Sequence, residues 1–281
     1  MKAKLKEHLL KAKENKYAVP AFNFDNLDMM KGIIQAAEEE NSPVILMVRE
    51  SAAKHIGIEI IFSMIKKTIE KSKTQIILHW DHGFDIDLVK KAIDMGFSSV
   101  MLDSLSKSFA ENINITKHIV EYAHAKDVEV EAEIGLVCEC ENDDKTLKIN
   151  VLTNIDEAIV FDRLTNIDAL AVSIGTKHGK CDNRNLQFDL LKKISEKINT
   201  PLVLHGSSGI PNKDLQKTID LGITKINIET DLRIAYASGI KNYFQNNPDG
   251  FDAKKFGTIG MNFVKEEAIK KIRAVRANNR I

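Results

Sequence analysis

The 281-residue sequence has few cysteines, no net charge and no long apolar run. Its three cysteines are Cys138, Cys140 and Cys181, and so small and odd a number argues against a secreted disulfide scaffold. Forty basic residues balance forty acidic ones, so no overall field would attract nucleic acid or an anionic membrane. No segment reaches the roughly 18 consecutive apolar residues of a membrane span. We therefore expect a cytoplasmic protein with no nucleic-acid partner and no membrane partner.

The spacing of the cysteines gives little support for a metal site with thiolate ligands. Cys138 and Cys140 flank Glu139 and could form half of such a site, but no second cysteine pair exists. Structural zinc sites that use cysteine usually combine two closely spaced pairs of ligands. A structural or incidental role for these thiols is the simpler interpretation.

Two kinds of segment alternate along the chain. Apolar, β-branched runs predict eight strands, at residues 18–24, 43–48, 75–81, 99–104, 128–135, 169–175, 201–207 and 225–230. Between them lie stretches with apolar residues at three- and four-residue spacing, which predicts a helix after each strand. Because the strand runs are continuously apolar rather than alternating, we expect parallel strands that are buried on both faces.

Eight such units favour an α/β fold, a single closed (β/α)8 TIM barrel over residues 1–281 with an N-terminal helix and an extra C-terminal helix. An open, doubly wound sheet is the alternative, but no glycine-rich turn follows the first strand. No linker or change in composition marks a second domain. The polar insertion at about 136–153, after the fifth strand, is predicted to be a mobile loop.

The predicted strand ends carry residues of the types that bind metals and transfer protons. In a barrel the carboxyl ends of the strands form the functional face. His82, His178 and His205 follow three different strands, and Asp81 directly precedes the first of them. A single histidine at a strand end is more often structural, but three that converge beside a carboxylate favour a catalytic zinc site. The convergence itself depends on the barrel prediction.

Glycines and hydroxyl residues surround the last two of these histidines. Gly179 and Gly206 lie next to them in sequence, and Ser208 and Thr230 add hydroxyl groups. Glycine lets successive backbone amides approach an anion closely, and the loops after strands seven and eight often bind phosphate in barrels. Each glycine alone could simply serve a turn, but together they predict a phosphorylated substrate.

Six segments resemble, in order and spacing, the signatures of class II, metal-dependent ketose-bisphosphate aldolases. They are AVPAFN (18–23), WDHG (80–83), VEAEIG (130–135), IGTKHG (174–179), LHGSSG (204–209) and KINIETD (225–231). The resemblance covers nearly the whole chain and points to the fructose/tagatose-bisphosphate aldolase branch. It implies a zinc-dependent aldehyde-lyase that reversibly cleaves a ketose 1,6-bisphosphate to dihydroxyacetone phosphate and glyceraldehyde 3-phosphate. It also implies a homodimer or homotetramer.

The resemblance implies metal and proton-transfer roles for matching residues. Four residues match metal ligands of the family: His82, His178, His205 and, as an alternate ligand, Glu133. Asp81 would exchange the proton of the C4 hydroxyl, and Glu141, on the insertion, would exchange the C3 proton. Asn227 would face the enediolate. Some relatives also bind a monovalent cation, and the residues leave this open here.

The resemblance likewise implies contacts with the substrate. The positions that match C1-phosphate ligands are Gly179, Gly206, Ser208 and Thr230, while Asn23 and Arg233 match contacts at the distal end. Lys177 and Lys180 stand where the family commonly has other residues, and they add positive charge near this anion-binding site. Cys138-Glu139-Cys140 replaces glycines of the family beside Glu141.

At two positions the sequence differs from the family pattern in a way that affects which substrate is expected. Arg49 stands where the family usually has a small, serine-like residue, and it could bind a phosphate through two hydrogen bonds or simply lie on the surface. Glu229 stands where fructose-bisphosphate enzymes tend to carry Asp or Asn and tagatose-bisphosphate enzymes Ala. The retained acid favours fructose 1,6-bisphosphate. Tagatose 1,6-bisphosphate, another phosphorylated keto sugar, or a non-catalytic accessory subunit are the alternatives.

Overall fold

The computed structural model describes residues 3–104, 107–138, 151–179 and 185–281. Eight parallel strands close into a barrel in the order in which they occur along the chain. The strands are β1 (Val19–Asn23), β2 (Val44–Arg49), β3 (Ile76–Gly83), β4 (Ser99–Leu102), β5 (Glu129–Ile134), β6 (Ala169–Val172), β7 (Leu202–Leu204) and β8 (Ile223–Ile228). The predicted (β/α)8 barrel is therefore confirmed, and the doubly wound alternative is wrong.

Helices surround the barrel and cover its outer face. They are α1 (Leu5–Glu14), α2 (Leu27–Glu39), α3 (Glu50–Ile56), α4 (Ile58–Ile69), α5 (Ile86–Met95), α6 (Phe109–His124), α7 (Ile155–Thr165), α8 (Phe188–Lys197), α9 (Asn212–Asp220), α10 (Thr230–Asn246) and α11 (Ala253–Ala274). The N-terminal helix and the extra C-terminal helix are both present. Two helices rather than one follow β2, because Gly57 adopts a φ of 98° and separates α3 from α4.

Local sequence sets the helix boundaries. The side chain of Asn26 accepts a hydrogen bond from the backbone N–H of Met29 at the start of α2, and Ser108 forms a reciprocal capping box with Glu111 at the start of α6. Such caps satisfy backbone donors that the first turn of a helix leaves unpaired. At the other end of a helix, Gly96 closes α5 in the left-handed conformation.

Helix α1 closes the amino end of the barrel. Glu129, the first residue of β5, accepts hydrogen bonds from the backbone N–H groups of Leu5 and Lys6 at the start of this helix. Leu5 and Leu9 are fully buried. Because the amino ends of the strands are covered in this way, the carboxyl ends form the open face.

The insertion after β5 is described only at its two ends. Leu136 and Val151 form an isolated antiparallel bridge, with backbone N–O distances of 2.8 and 3.1 Å. Residues 139–150 lie outside the described residues, so the predicted mobile loop stays a prediction. No helix among the described residues is long and apolar enough to cross a membrane.

Candidate active site

The end of β3 places two consecutive side chains in one pocket. Successive residues of a regular strand point to opposite faces. Here the pairing with β4 is interrupted between Trp80 and Gly83, and His82 adopts a φ of 46°. Left-handed backbone is uncommon for a residue other than glycine. This irregularity lets both Asp81 and His82 line the pocket at the carboxyl end of the barrel.

Three imidazole rings meet at this end of the barrel. His82 lies 5.4 Å from His178 and 4.9 Å from His205, measured between ring centroids, and His178 lies 6.1 Å from His205. One ligand atom from each ring lies within 4.8 Å of the others. They come from the end of β3, the loop after β6 and the residue that follows β7, so the closure of the barrel brings them together.

The hydrogen bonds of His82 leave one ring nitrogen directed at the cluster. Its Nδ1 lies 3.1 Å from Asp103 Oδ2, whereas its Nε2 is buried and has no hydrogen-bond partner among the described residues. A histidine that binds a metal through one ring nitrogen commonly donates a hydrogen bond from its other ring nitrogen to a carboxylate. Three imidazoles are a frequent donor set for zinc, and the unpartnered Nε2 fits such an ion.

His205 lies between two buried carboxylates. Its Nδ1 is 3.0 Å from Glu133 Oε2, and its Nε2 is 3.0 Å from Glu131 Oε1. Burial lowers the pKa of His205, but Glu133 and Glu131 outweigh it and raise that pKa to about 9. The Oε1 atom of Glu133 is buried and has no hydrogen-bond partner among the described residues. A carboxylate oxygen is therefore available beside the three rings.

Asp81 is a buried carboxylate with fixed neighbours. Its Oδ2 accepts a hydrogen bond from Asn23 Nδ2 at 2.9 Å, and its Oδ1 accepts one from Asn227 Nδ2 at 3.3 Å. The Nε atom of Arg49 lies 4.0 Å from Oδ2. Burial raises the pKa of Asp81, but the nearby positive groups outweigh it and hold that pKa well below its usual range. The carboxylate is therefore ionised at neutral pH and able to accept a proton.

The pocket beside the histidines is suited to an anion. It is lined by Asn23, Arg49, Asp81, His82, His178, Gly179, Gly206, Ser207, Ser208, Asn227, Glu229 and Thr230. Thr230 begins the 17-residue helix α10, and a helix N-terminus offers unpaired N–H groups to a negative charge. Gly206 has a φ of 64°, and a Cβ there would lie 2.6 Å from the carbonyl of Lys177. Only glycine fits this part of the pocket without strain.

One side of the pocket carries side chains of alternating charge. Glu229 Oε2 lies 2.9 Å from Arg49 Nη1, and Glu229 Oε1 lies 2.9 Å from Arg233 Nη2. Arg233 also donates to both carboxylate oxygens of Asp25, at 2.6 and 2.8 Å. Burial raises the pKa of Glu229, and the two arginines partly offset that effect. Arg49 thus lines the pocket, and its interpretation as a surface arginine is wrong.

Most of the residues singled out in the sequence lie in or beside this pocket. Glu133 contacts Nδ1 of His205 but is not part of the pocket lining, and the side chain of Arg233 is 44% exposed. Glu141 and Lys180 lie outside the described residues. Asp103 was not singled out although it lies near the end of the fourth predicted strand, 99–104, where the rule about strand ends could have found it; in the structure it directly follows β4. Lys225 was missed because it lies at the start of a predicted strand.

Comparison with known proteins defines the class to which this site belongs. The family description "Fructose-bisphosphate aldolase class-II" matches residues 3–280. The chain belongs to the class II fructose-bisphosphate aldolase family. It is similar to the crystal structure of the YdjI aldolase from Escherichia coli K12, with 33% identity, a TM-score of 0.87 and 99% of each chain covered. It is also similar to the fructose-bisphosphate aldolase of Campylobacter jejuni, with 25% identity, a TM-score of 0.83, and 99% of this chain and 95% of that chain covered.

Proposed function

We propose that the protein is a zinc-dependent aldolase that reversibly cleaves a ketose 1,6-bisphosphate, with fructose 1,6-bisphosphate as the favoured substrate. The products are dihydroxyacetone phosphate and glyceraldehyde 3-phosphate. Membership of the class II family supports an aldehyde-lyase. The observation that carries the proposal is the buried carboxylate of Asp81 beside three converging imidazoles.

The metal would be held by His82, His178 and His205, with Glu133 as an alternate ligand. The unpartnered Nε2 of His82 and Oε1 of Glu133 support this assignment, because buried polar atoms are seldom left without a partner. Zinc bound there would polarise the ketone oxygen of the substrate as a Lewis acid. The three histidines would hold the ion at the end of the barrel where Asp81 and His82 line the pocket.

Asp81 acts as the base in the cleavage direction. It accepts the proton of the C4 hydroxyl, the C4 oxygen forms the aldehyde carbonyl, and the C3–C4 bond breaks with its electron pair moving to the ketone half. Asn23 and Asn227 hold the carboxylate by one hydrogen bond to each oxygen. Asn227 also borders the enediolate formed from the ketone half. Glu141 would then return a proton to C3, a role that follows from the family resemblance alone.

The phosphate on C1 binds among Gly179, Gly206, Ser208 and Thr230. The N-terminus of α10 and the close backbone approach at Gly206 support this placement. Lys180 would add positive charge, again by resemblance. The phosphate anchors the ketone half so that the C3–C4 bond lies near Asp81, since precise placement of the reacting atoms lowers the barrier.

The distal half of the substrate lies against Asn23, Arg49, Glu229 and Arg233. Arg49 offers a cation within the pocket, which suits a negative group on the aldehyde product. Glu229 keeps an acid at the position that favours fructose 1,6-bisphosphate. Its ion pairs with two arginines fix that acid in place. Because glutamate is one methylene longer than aspartate, its contact with a substrate hydroxyl would be displaced, which makes tagatose 1,6-bisphosphate or another phosphorylated keto sugar the second candidate. The presence of Asp81 with all three histidines weighs against an accessory subunit.

A coupled retro-aldol assay tests the proposal. Purified protein is assayed on fructose and tagatose 1,6-bisphosphate, each with and without chelator and with zinc added back. We expect zinc-restored cleavage with a higher kcat/KM for fructose 1,6-bisphosphate. No cleavage of either sugar by zinc-loaded protein would contradict the proposed reaction. The oligomeric state and any monovalent cation stay predictions, to be checked by light scattering and by exchanging potassium for sodium in the assay.

A further inference from the structure

Three ionisable side chains are fully buried in the barrel interior below the histidines. They are His79 on β3, Glu131 on β5 and Lys225 on β8, and each has 0% exposure. The interior layers of such barrels are usually filled by branched apolar residues. Burial of a charge is costly unless it is paired and hydrogen-bonded. A fully buried lysine therefore calls for a reason beyond packing.

The contacts of these side chains lead to the candidate metal site. Lys225 Nζ lies 2.8 Å from Glu131 Oε2 and 3.0 Å from Glu131 Oε1. Glu131 Oε1 in turn lies 3.0 Å from His205 Nε2. Lys225 is thus two contacts away from the ring of His205, and no described side chain other than Glu131 connects them.

His79 does not replace Lys225 as the partner of Glu131. Its Nε2 lies 3.9 Å from Glu131 Oε2, beyond hydrogen-bond distance, and its Nδ1 lies 2.8 Å from Ser99 Oγ. Burial and the proximity of Lys225 lower the pKa of His79 to about 3. Among the residues that the structure describes, Lys225 is therefore the lysine or arginine side chain in contact with Glu131.

We propose that Lys225 is a positioning residue that holds the carboxylate of Glu131 in place as the acceptor for the Nε2–H of His205, so that Nδ1 of that ring faces the metal. The inference rests on the proposed metal site. An ionised carboxylate only accepts hydrogen bonds, so its partner nitrogen carries the hydrogen. The remaining nitrogen, Nδ1, lies 3.0 Å from Glu133 Oε2, on the side where the alternate ligand is placed.

The positive charge of Lys225 is needed to keep Glu131 in contact with His205. Removal of one partner of a buried ion pair leaves the other charge without compensation, and this is far more disruptive than removal of both. Without Lys225 the carboxylate of Glu131 would lose the contacts to both of its oxygens that hold it in place, and the ring of His205 would lose its fixed orientation. Such outer partners of a metal ligand typically change metal affinity by about 10- to 100-fold.

Metal affinity of four variants tests the inference. The variants are Lys225→Met, Glu131→Gln, the double variant Glu131→Gln/Lys225→Met, and Lys241→Met as a matched control on an exposed lysine of α10. Zinc affinity is measured by competition with a chromophoric chelator. The absorption spectrum of the cobalt-substituted proteins reports the ligand geometry, and circular dichroism checks that each protein is folded.

We expect each single variant in the pair to bind zinc about 10- to 100-fold more weakly and to alter the cobalt spectrum. The double variant should return to within about threefold of wild type. In that variant the amide oxygen introduced by Glu131→Gln still accepts a hydrogen bond from His205, and no buried charge is left unpaired. The Lys241→Met variant should match wild type.

Two results would overturn the inference: wild-type zinc affinity in Lys225→Met, or no recovery in the double variant. If Lys225→Met does not fold, the double variant decides alone, since a loss of tenfold or more would contradict the proposal and near-wild-type binding would support it. A wild-type protein that binds no zinc would instead contradict the proposed function, so the two failures can be told apart.

Discussion

Asp81→Asn is expected to separate proton transfer from metal binding. Asn has nearly the shape of Asp, and Asp81 is held by Asn23 at one oxygen and by Asn227 at the other. The new amide can keep an oxygen towards Asn23 and turn its NH2 towards Asn227. Asn227 Oδ1 is buried without a hydrogen-bond partner among the described residues, so rotation of that side chain supplies an acceptor. The pocket should therefore keep its geometry.

The expected loss of activity follows from the role of a general base. Positioned proton transfer contributes about 10²- to 10⁴-fold to a reaction rate. At about 1.36 kcal/mol per factor of ten, this corresponds to about 2.7–5.4 kcal/mol of transition-state stabilisation. Because an amide cannot accept the C4 proton, kcat should fall by that factor. The KM and the zinc content should change little, since neither the phosphate loops nor the three histidines are altered.

The assay is the coupled cleavage of fructose 1,6-bisphosphate, with bound zinc measured on the same preparation. Asp85→Asn is the matched control, because Asp85 is exposed and caps α5, and Asn caps a helix about as well as Asp. This control should keep wild-type turnover. Zinc-loaded Asp81→Asn with kcat within about fivefold of wild type would refute the base assignment.

Three further predictions concern the metal and stability. His205→Ala should lose both zinc retention and turnover, measured by metal analysis after gel filtration; an active, zinc-loaded variant would contradict the ligand assignment. Tyr17→Phe should raise the free energy of unfolding by about 1 kcal/mol in urea titrations, because the buried hydroxyl has no partner among the described residues; a lower stability would show a missed hydrogen bond. Burial, with the charge of Asp168, raises the pKa of Glu129, so its stability contribution is present below the ordinary pKa and is lost as pH rises through the raised one. The stability of wild type relative to Glu129→Gln should therefore fall as the pH rises above about 4.5, and a constant difference would contradict the shift.

The barrel could be predicted from sequence because its signal is repeated eight times. Most strand runs are apolar on both faces and the stretches between them are amphipathic, so errors of one or two residues at a boundary do not alter the topology. The run at 225–230 illustrates the size of these errors, since β8 begins at Ile223. Parallel pairing then forces the strand ends together on one face.

The local geometry at Asp81 and His82 could not be predicted in this way. Alternation along a regular strand would place these two neighbours on opposite faces. Their joint presence in the pocket depends on an interrupted ladder with β4 and on the left-handed backbone of His82, and a residue other than glycine gives no sequence signal for such a backbone. Arg49 shows the same limit, because its partner Glu229 is 180 residues away in the sequence.

The two ends of the barrel have different roles: the carboxyl end carries the candidate site, and the amino end contributes mainly to stability. At the carboxyl end, His82 has strained backbone and Asp81 is buried, and Glu131 and Lys225 are buried in the barrel interior below them, all of which cost stability. At the amino end, Glu129 caps α1 and Leu5 is buried beneath the strands. Because the apolar strands join these ends rigidly, favourable contacts elsewhere in the fold can offset an arrangement at the site that would not persist alone. Substitutions at the amino end should therefore change the free energy of unfolding while kcat stays near wild type, whereas substitutions at the carboxyl end should change kcat or metal affinity first.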